Sequence, residues 1–262
     1  MISIATFRKN VWNYYKKHGR HDLPWRKTKD PYRILVSEMM LQQTQVPRVI
    51  GKYREFLKRF PTVRALAKAS LADVLKVWSG LGYNRRGKYL HDAAKEIVAI
   101  YKDNFRQALK HPLPGVGPYT NAAVKAFAFN EPAVLLETNV RAVYIHHFFL
   151  HTKQVRDREI IMYAEKAAKG QNPREWHWAL MDYGVYIKRL HKNPARRSSS
   201  YTRQSKFEGS VRQVRGAILR ELHKSSSLLK SLPFKKEQVE TALATLTHDG
   251  LIKKEKGEWR IS

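Results

Sequence analysis

The chain contains no cysteine. Disulfides, thiol nucleophiles, thiolate zinc sites and cysteine-held iron–sulfur clusters are therefore excluded. Acidic residues are scarce beside basic ones, 22 Asp+Glu against 50 Lys+Arg. The resulting formal charge of +28 is a self-repulsion that a soluble protein tolerates most readily when its partner is a polyanion, with nucleic acid the first choice. No apolar run approaches the ~20 residues of a spanning helix, so a membrane partner is not expected. The N-terminal MISIATFRKNVW has no secretory apolar core before its charges, which points to a cytoplasmic, nucleoid-associated address. Strand-type alternation is rare, whereas 43% hydrophobic residues in 262 suffice for a sizeable core in one large or two smaller domains.

Apolar residues recur with a helical period up to about residue 190, as in Phe7, Val11, Tyr14 and Tyr15, or Ala93, Ile97, Ile100 and Tyr101. Pro31, Pro47, Pro61, Pro112, Pro118, Pro132 and Pro173 punctuate this region at intervals that suit short helices. The expectation is an all-α domain over 1–191. Between Tyr186 and Gly209 lie seven basic residues, one acidic residue and a serine run, with no apolar period after Leu190. Residues 192–209 therefore read as a basic linker, either a solvated loop or a strap on phosphates through Arg196 and Arg197. Beyond it, Val211, Val214, Ile218 and Leu222 mark one helix and Val239, Leu243 and Leu246 another, and GLIKKEKGEWRIS reads as two strands around a Lys-Gly turn. Residues 210–262 are thus expected to form a small winged-helix-like domain.

Three stretches carry chemistry. In LPGVGPYT (113–120), Gly115 and Gly117 give a permissive backbone at the mouth of a helix, whose outward N–H groups can grip a phosphate without a side chain. An ordinary helix–helix turn fits the same letters. In YRILVSEMMLQQTQV (32–46), Glu38 is a carboxyl among apolar neighbours, which raises its pKa and suits a general acid; pairing with arginine or exposure to water is the alternative. In AVLLETNVRAVYI (133–145), Glu137 and Asn139 stand between apolar runs, where helix capping is the ordinary explanation. Two carboxylates and a phosphate-gripping hairpin suggest glycosidic chemistry on DNA.

PWR (24–26), SEMMLQQTQV (37–46), GLGYNRRGKYL (80–90), LPGVGPYT (113–120) and TNVRAV (138–143) together resemble the helix-hairpin-helix DNA glycosylases, in particular the MutY-like adenine glycosylase branch, from about residue 5 to 191. The resemblance implies a two-lobed helical domain acting on double-stranded DNA with a mismatched or damaged base, as a monomer and without a cofactor. It implies that Glu38 protonates the purine, that Tyr119 orients that chemistry, and that Glu137, with Asn139 beside it, faces the developing sugar cation. Trp25, Arg26, Leu41, Val46 and Asp182 would line the base pocket. Gln42, Gln43 and Tyr83 would probe the duplex, and Gly115, Val116, Gly117 and Thr120 would hold its backbone.

The chain departs from that family in three ways and keeps its hairpin tyrosine. Glutamate occupies position 137, where the family has aspartate, one methylene shorter. Tyrosine occupies 119, where endonuclease III relatives carry a lysine nucleophile, which implies a monofunctional enzyme. KNPARRSSSYTRQ follows the helix HWALMDYGVYI, where many relatives place four cluster-binding cysteines. Residues 210–262 are too short for the domain with which adenine glycosylases read 8-oxoguanine. Three functions are therefore expected in competition: an adenine mismatch glycosylase, a glycosylase for thymine or uracil opposite guanine or for a damaged purine, and a catalytically silent DNA-binding protein.

Overall fold

The computed structural model describes residues 2–204, 206–224 and 232–262. They form helices α1 (Ile4–His18), α2 (Pro31–Leu41), α3 (Val46–Arg59), α4 (Val63–Lys68), α5 (Leu71–Trp78), α6 (Arg85–Ala99), α7 (Phe105–Ala108), α8 (Pro118–Phe129), α9 (Thr138–Phe148), α10 (Asp157–Ala168), α11 (Pro173–Leu190), α12 (Val211–Leu222) and α13 (Lys236–His248). Two 3₁₀ turns, Pro24–Arg26 and Pro194–Arg197, and one hairpin of β1 (Ile252–Glu255) and β2 (Glu258–Ile261) complete the set. The helical expectation holds. Pro31, Pro47, Pro118 and Pro173 each fall in a first turn, where a missing N–H costs no hydrogen bond. Ile100 departs from its expected apolar face and is 63% exposed, because α6 stops at Ala99 and Lys102 and Asp103 turn the chain with positive φ. Among the described residues no helix is long and apolar enough to cross a membrane.

The chain divides into two compact units, one of Met1–Ile34 and Pro118–Arg203, the other of Leu35–Gly117 and Gln204–Ser262. In the first, Phe7 packs its ring 5.0–6.1 Å from those of Tyr144, Phe148 and Trp176. Truncating one such aromatic to alanine costs about 3–5 kcal/mol. The stretch read as a linker is partly built into this unit. Pro194 and Ala195 are buried, and Arg197 donates to the carbonyls of Ile145, Phe149, Leu150 and Thr152 at 2.5–3.3 Å. That commitment corrects the expectation that Arg197 contacts DNA: it ties off the C-terminal end of α9, whose last carbonyls lack intrahelical partners. Arg196 stays exposed.

The second unit contains Phe56, Phe60 and Trp78 in edge contacts at 5.0–6.0 Å. A further core joins Leu75 of α5 to Val214, Ile218, Ala242, Leu246, Leu251 and Ile252. The apolar faces of α12 and α13 are thus closed partly by α5, which brings the C-terminal residues into one unit with 35–117. The hairpin pairs Ile252 with Ile261 and Glu255 with Glu258, and turns on Lys256 and Gly257, both at positive φ, as the Lys-Gly signal implied. Residues 225–231, which the winged-helix expectation also spans, lie outside the described residues.

Candidate active site

Glu137 precedes α9 with an extended backbone, and its Oε1 accepts from the Val140 N–H at 2.8 Å, so the carboxylate is the helix N-cap. The capping alternative is therefore what the geometry shows, and it leaves chemistry open. Oε2 accepts from Asn139 Nδ2 at 3.1 Å, and Lys188 Nζ donates to Asn139 Oδ1 at 3.1 Å. Burial raises the carboxyl above the usual range, outweighing its hydrogen bonds to 139 and 140 and the charges of Lys188 and Arg141. Arg141 is itself paired with Asp157 at 2.7 and 2.9 Å, and that hydrogen-bonded carboxylate raises its pKa. Gly184 on α11 is what lets α9 start here, since a Cβ there would overlap the Asn139 carbonyl oxygen. Sequence reading missed Arg141, Gly184 and Lys188. A glycine inside a helix is the one signal that pointed to a close approach.

Asp182, expected in the base pocket, is 2% exposed and accepts from the two terminal guanidinium nitrogens of Arg26, at 2.7 and 2.9 Å, and from the Arg20 backbone N–H at 2.8 Å. The Arg20 side chain adds a 2.6 Å contact. Burial alone would raise this carboxyl, but Arg26 and then Arg20 hold it below the usual carboxylate range. Asp182 and Arg26 therefore act as the anchor of the Pro24–Arg26 turn, and Trp25 is buried beside them.

In the second unit, Glu38 is 8% exposed on a stretch of α2 where Leu35, Val36, Met39 and Met40 are all buried. The burial half of its reading holds. Leu41 and Val46 are half-buried, at the end of α2 and the start of α3. Between them Gln43 takes φ 54°, and across the unit Tyr83 takes φ 47°, a conformation that non-glycine residues seldom adopt. Arg86, which sequence reading passed over, holds both turns. Its guanidinium donates to the carbonyls of Met39, Met40, Gln42, Leu81 and Gly82 at 2.5–3.4 Å and to Thr44 Oγ1 at 3.0 Å. Burial pushes its pKa down to about 10.

The hairpin closes with Val116 N–H on the Leu113 carbonyl at 3.0 Å. Gly115 is required by φ 69° and by the 2.5 Å at which a Cβ would meet Tyr89 Cβ. Gly117 is different: it lacks positive φ, and a Cβ at this position would find nothing within 4 Å. The two glycines read alike in the sequence, and they are not equivalent. Tyr119, in the first turn of α8, is half-buried, while Thr120 is 3% exposed. Among the described residues no three His, Asp or Glu side chains are grouped to hold a metal ion.

Residues 36–167 match the family described as HhH-GPD superfamily base excision DNA repair protein. The chain is similar to an adenine DNA glycosylase of Buchnera aphidicola subsp. Baizongia pistaciae, 33% identical over 71% of this chain and 54% of the relative, and to one of Mycobacterium tuberculosis, 44% identical over 51% and 45%. It spans about half the length of these curated relatives. A thermostable thymine-DNA glycosylase has a similar structure, with a TM-score of 0.63 and 27% identity over 73% of this chain and 90% of that one. An endonuclease III–DNA intermediate, at TM-score 0.53 and 17% identity over 79% and 92%, shares the fold. The chain belongs to the HhH-GPD superfamily of base excision DNA repair proteins.

Proposed function

We propose that the protein is a monofunctional DNA glycosylase that hydrolyses the N-glycosidic bond of a base flipped from double-stranded DNA, acting as a monomer without a resident metal or cluster. The names of its relatives favour adenine in a mismatch as the target. The observation that carries the reading is the buried carboxyl of Glu38, in a chain otherwise rich in positive charge. Extruding a base costs a few kcal/mol of unstacking, which the attraction of a +28 chain for phosphate helps to offset. Glu38 gives its proton to a ring nitrogen of the base, and the C–N bond breaks with its electron pair leaving on the base. The Glu137 carboxylate opposes the positive charge left on the sugar, held in place by Val140 N–H and Asn139. Water then adds to the sugar carbon and loses a proton. Tyr119 offers no amine for a Schiff base, so the product is an intact abasic strand.

A thymine or uracil opposite guanine is the second reading, favoured by the structural likeness to the thymine-DNA glycosylase. Base release from duplexes that each carry one mismatched or damaged base separates the two. Adenine release without strand cleavage is expected, and Glu38→Gln should slow it by about 10²- to 10⁴-fold while duplex binding persists. Release of thymine alone would select the second reading, and no release from any duplex would leave a DNA-binding protein.

A further inference from the structure

Gly184 and Lys188 stand four residues apart on α11 and therefore on one face of it. The missing Cβ of Gly184 admits the backbone of Asn139, and one turn on Lys188 reaches the side chain of the same residue, its Nζ donating to Asn139 Oδ1 at 3.1 Å. A half-buried lysine on a helix ordinarily carries its ammonium out to water. Here a neutral amide receives it, and among the described residues no carboxylate lies within ion-pair distance of Lys188. Asn139 passes the contact on, since its Nδ2 donates to Glu137 Oε2 at 3.1 Å while Oε1 is taken by the Val140 N–H at 2.8 Å. Arg141, the other cation near this carboxyl, is committed to Asp157.

The direction of this chain of hydrogen bonds is set by its first member. The two ends of a carboxamide are nearly alike in size, and a half-turn about the last side-chain bond exchanges donor for acceptor. An ammonium has three donors and no acceptor, so it admits only the orientation of Asn139 that turns the NH₂ toward the carboxylate. The opposite orientation would set N–H against N–H at Lys188 and oxygen against oxygen at Glu137. We propose that Lys188 is a positioning residue for the sugar-facing carboxylate: by holding the Asn139 carbonyl oxygen it fixes the amide as a donor to Glu137 and keeps that carboxylate in one orientation. The role deepens the glycosylase reading above and rests on it. Lys188 itself touches neither the base nor the sugar in this scheme, and acts through Asn139.

The test is an NMR titration of the full chain, isotope-labelled at the glutamate carboxyl carbons, with the Glu137 signal assigned by its loss in Glu137→Gln. Lys188→Met keeps the stem but removes a cation and the hold on an amide donor, both of which favour the ionised carboxyl, so the Glu137 titration should move to higher pH. Lys188→Gln, which offers an acceptor as well as donors and so no longer dictates the amide, should act in the same direction. Lys188→Arg should return most of the shift. In an Asn139→Ala background, where no amide is left to orient, Lys188→Met should move the titration much less. Single-turnover base release by Lys188→Met should fall by about ten- to hundred-fold, as a small misplacement of a reacting group does, with duplex affinity nearly unchanged. An unmoved titration in both Lys188→Met and Lys188→Gln would overturn the proposal, and so would a shift of equal size with and without the Asn139 amide, which would make Lys188 a distant charge only. Failure of the wild type to release any base would count against the enzymatic reading alone, since the titration needs no turnover.

Discussion

The N-terminus of α9 and the Tyr83 turn solve opposite electrostatic problems. At α9 an anion is kept in a poorly hydrated place, and a backbone N–H, an amide and two nearby cations hold Glu137 where its charge is costly. At Tyr83 cations gather, and carbonyls and rings hold Arg86 and Arg212. The first arrangement suits a developing positive charge on a sugar. The second suits a grip on a polyanion. Substitutions that neutralise the anion should therefore strike rate, and those that loosen the cations should strike stability or affinity.

The largest effect is expected at α9. Glu137→Gln can still accept from Val140 N–H but removes the negative charge, so single-turnover base release should fall by about 10²- to 10³-fold with duplex affinity nearly unchanged. The pH dependence gives a second signature. Because the folded carboxyl is raised above the usual glutamate value of 4.5, the wild-type rate should drop as pH falls through that raised value, earlier than for an exposed glutamate. Stability should move the other way, since a raised carboxyl costs folding energy above its folded pKa and that cost is relieved as pH falls. Both trends should vanish in the variant. A pH–rate profile with the same acid limb in Glu137→Gln would assign the limb elsewhere.

A smaller effect on rate but a large one on stability is expected from Arg86→Met. The substitution keeps a long apolar stem and removes donors to five carbonyls in two turns. Leaving buried carbonyls unsatisfied should cost about 3 kcal/mol or more in urea unfolding. A shift below about 1 kcal/mol would mean that water replaces the guanidinium, and that the turns are held by packing instead.

How much of this was legible follows from the range of the interactions. Glu38 was legible because a lone carboxyl in an apolar helix is a local contradiction, and the hairpin because glycine and proline punctuate the chain locally. Lys188 was not, since its partner Asn139 is 49 residues away and nothing in either neighbourhood names the other. The contact of Arg212 with Tyr83 spans 129 residues. Arg197 misled for the converse reason: an arginine in a serine-rich stretch reads as solvated, whereas the carbonyls it serves belong to the end of a helix some fifty residues earlier.

The smallest effect should come from the hairpin, where two glycines of identical appearance separate fold from function. Gly115→Ala places a methyl 2.5 Å from Tyr89 Cβ and 3.0 Å from Met39 Cε at φ 69°, so stability should fall by about 1–3 kcal/mol. Gly117→Ala meets no neighbour within 4 Å and no positive φ, and a more restricted unfolded chain should leave it equally stable or more stable by about 0.4–1 kcal/mol. Nothing inside the protein therefore asks for glycine at 117. If the hairpin grips the DNA backbone through its N–H groups, the reason lies outside, in a phosphate that a methyl would hold away. Affinity for duplex should then fall in Gly117→Ala while stability does not, and because an amide N–H carries no net charge the slope of log K against log salt should stay nearly the same. Unchanged duplex affinity in a well-folded Gly117→Ala would show that the hairpin does not approach phosphate at this residue, and would return the turn to its ordinary role of joining α7 to α8.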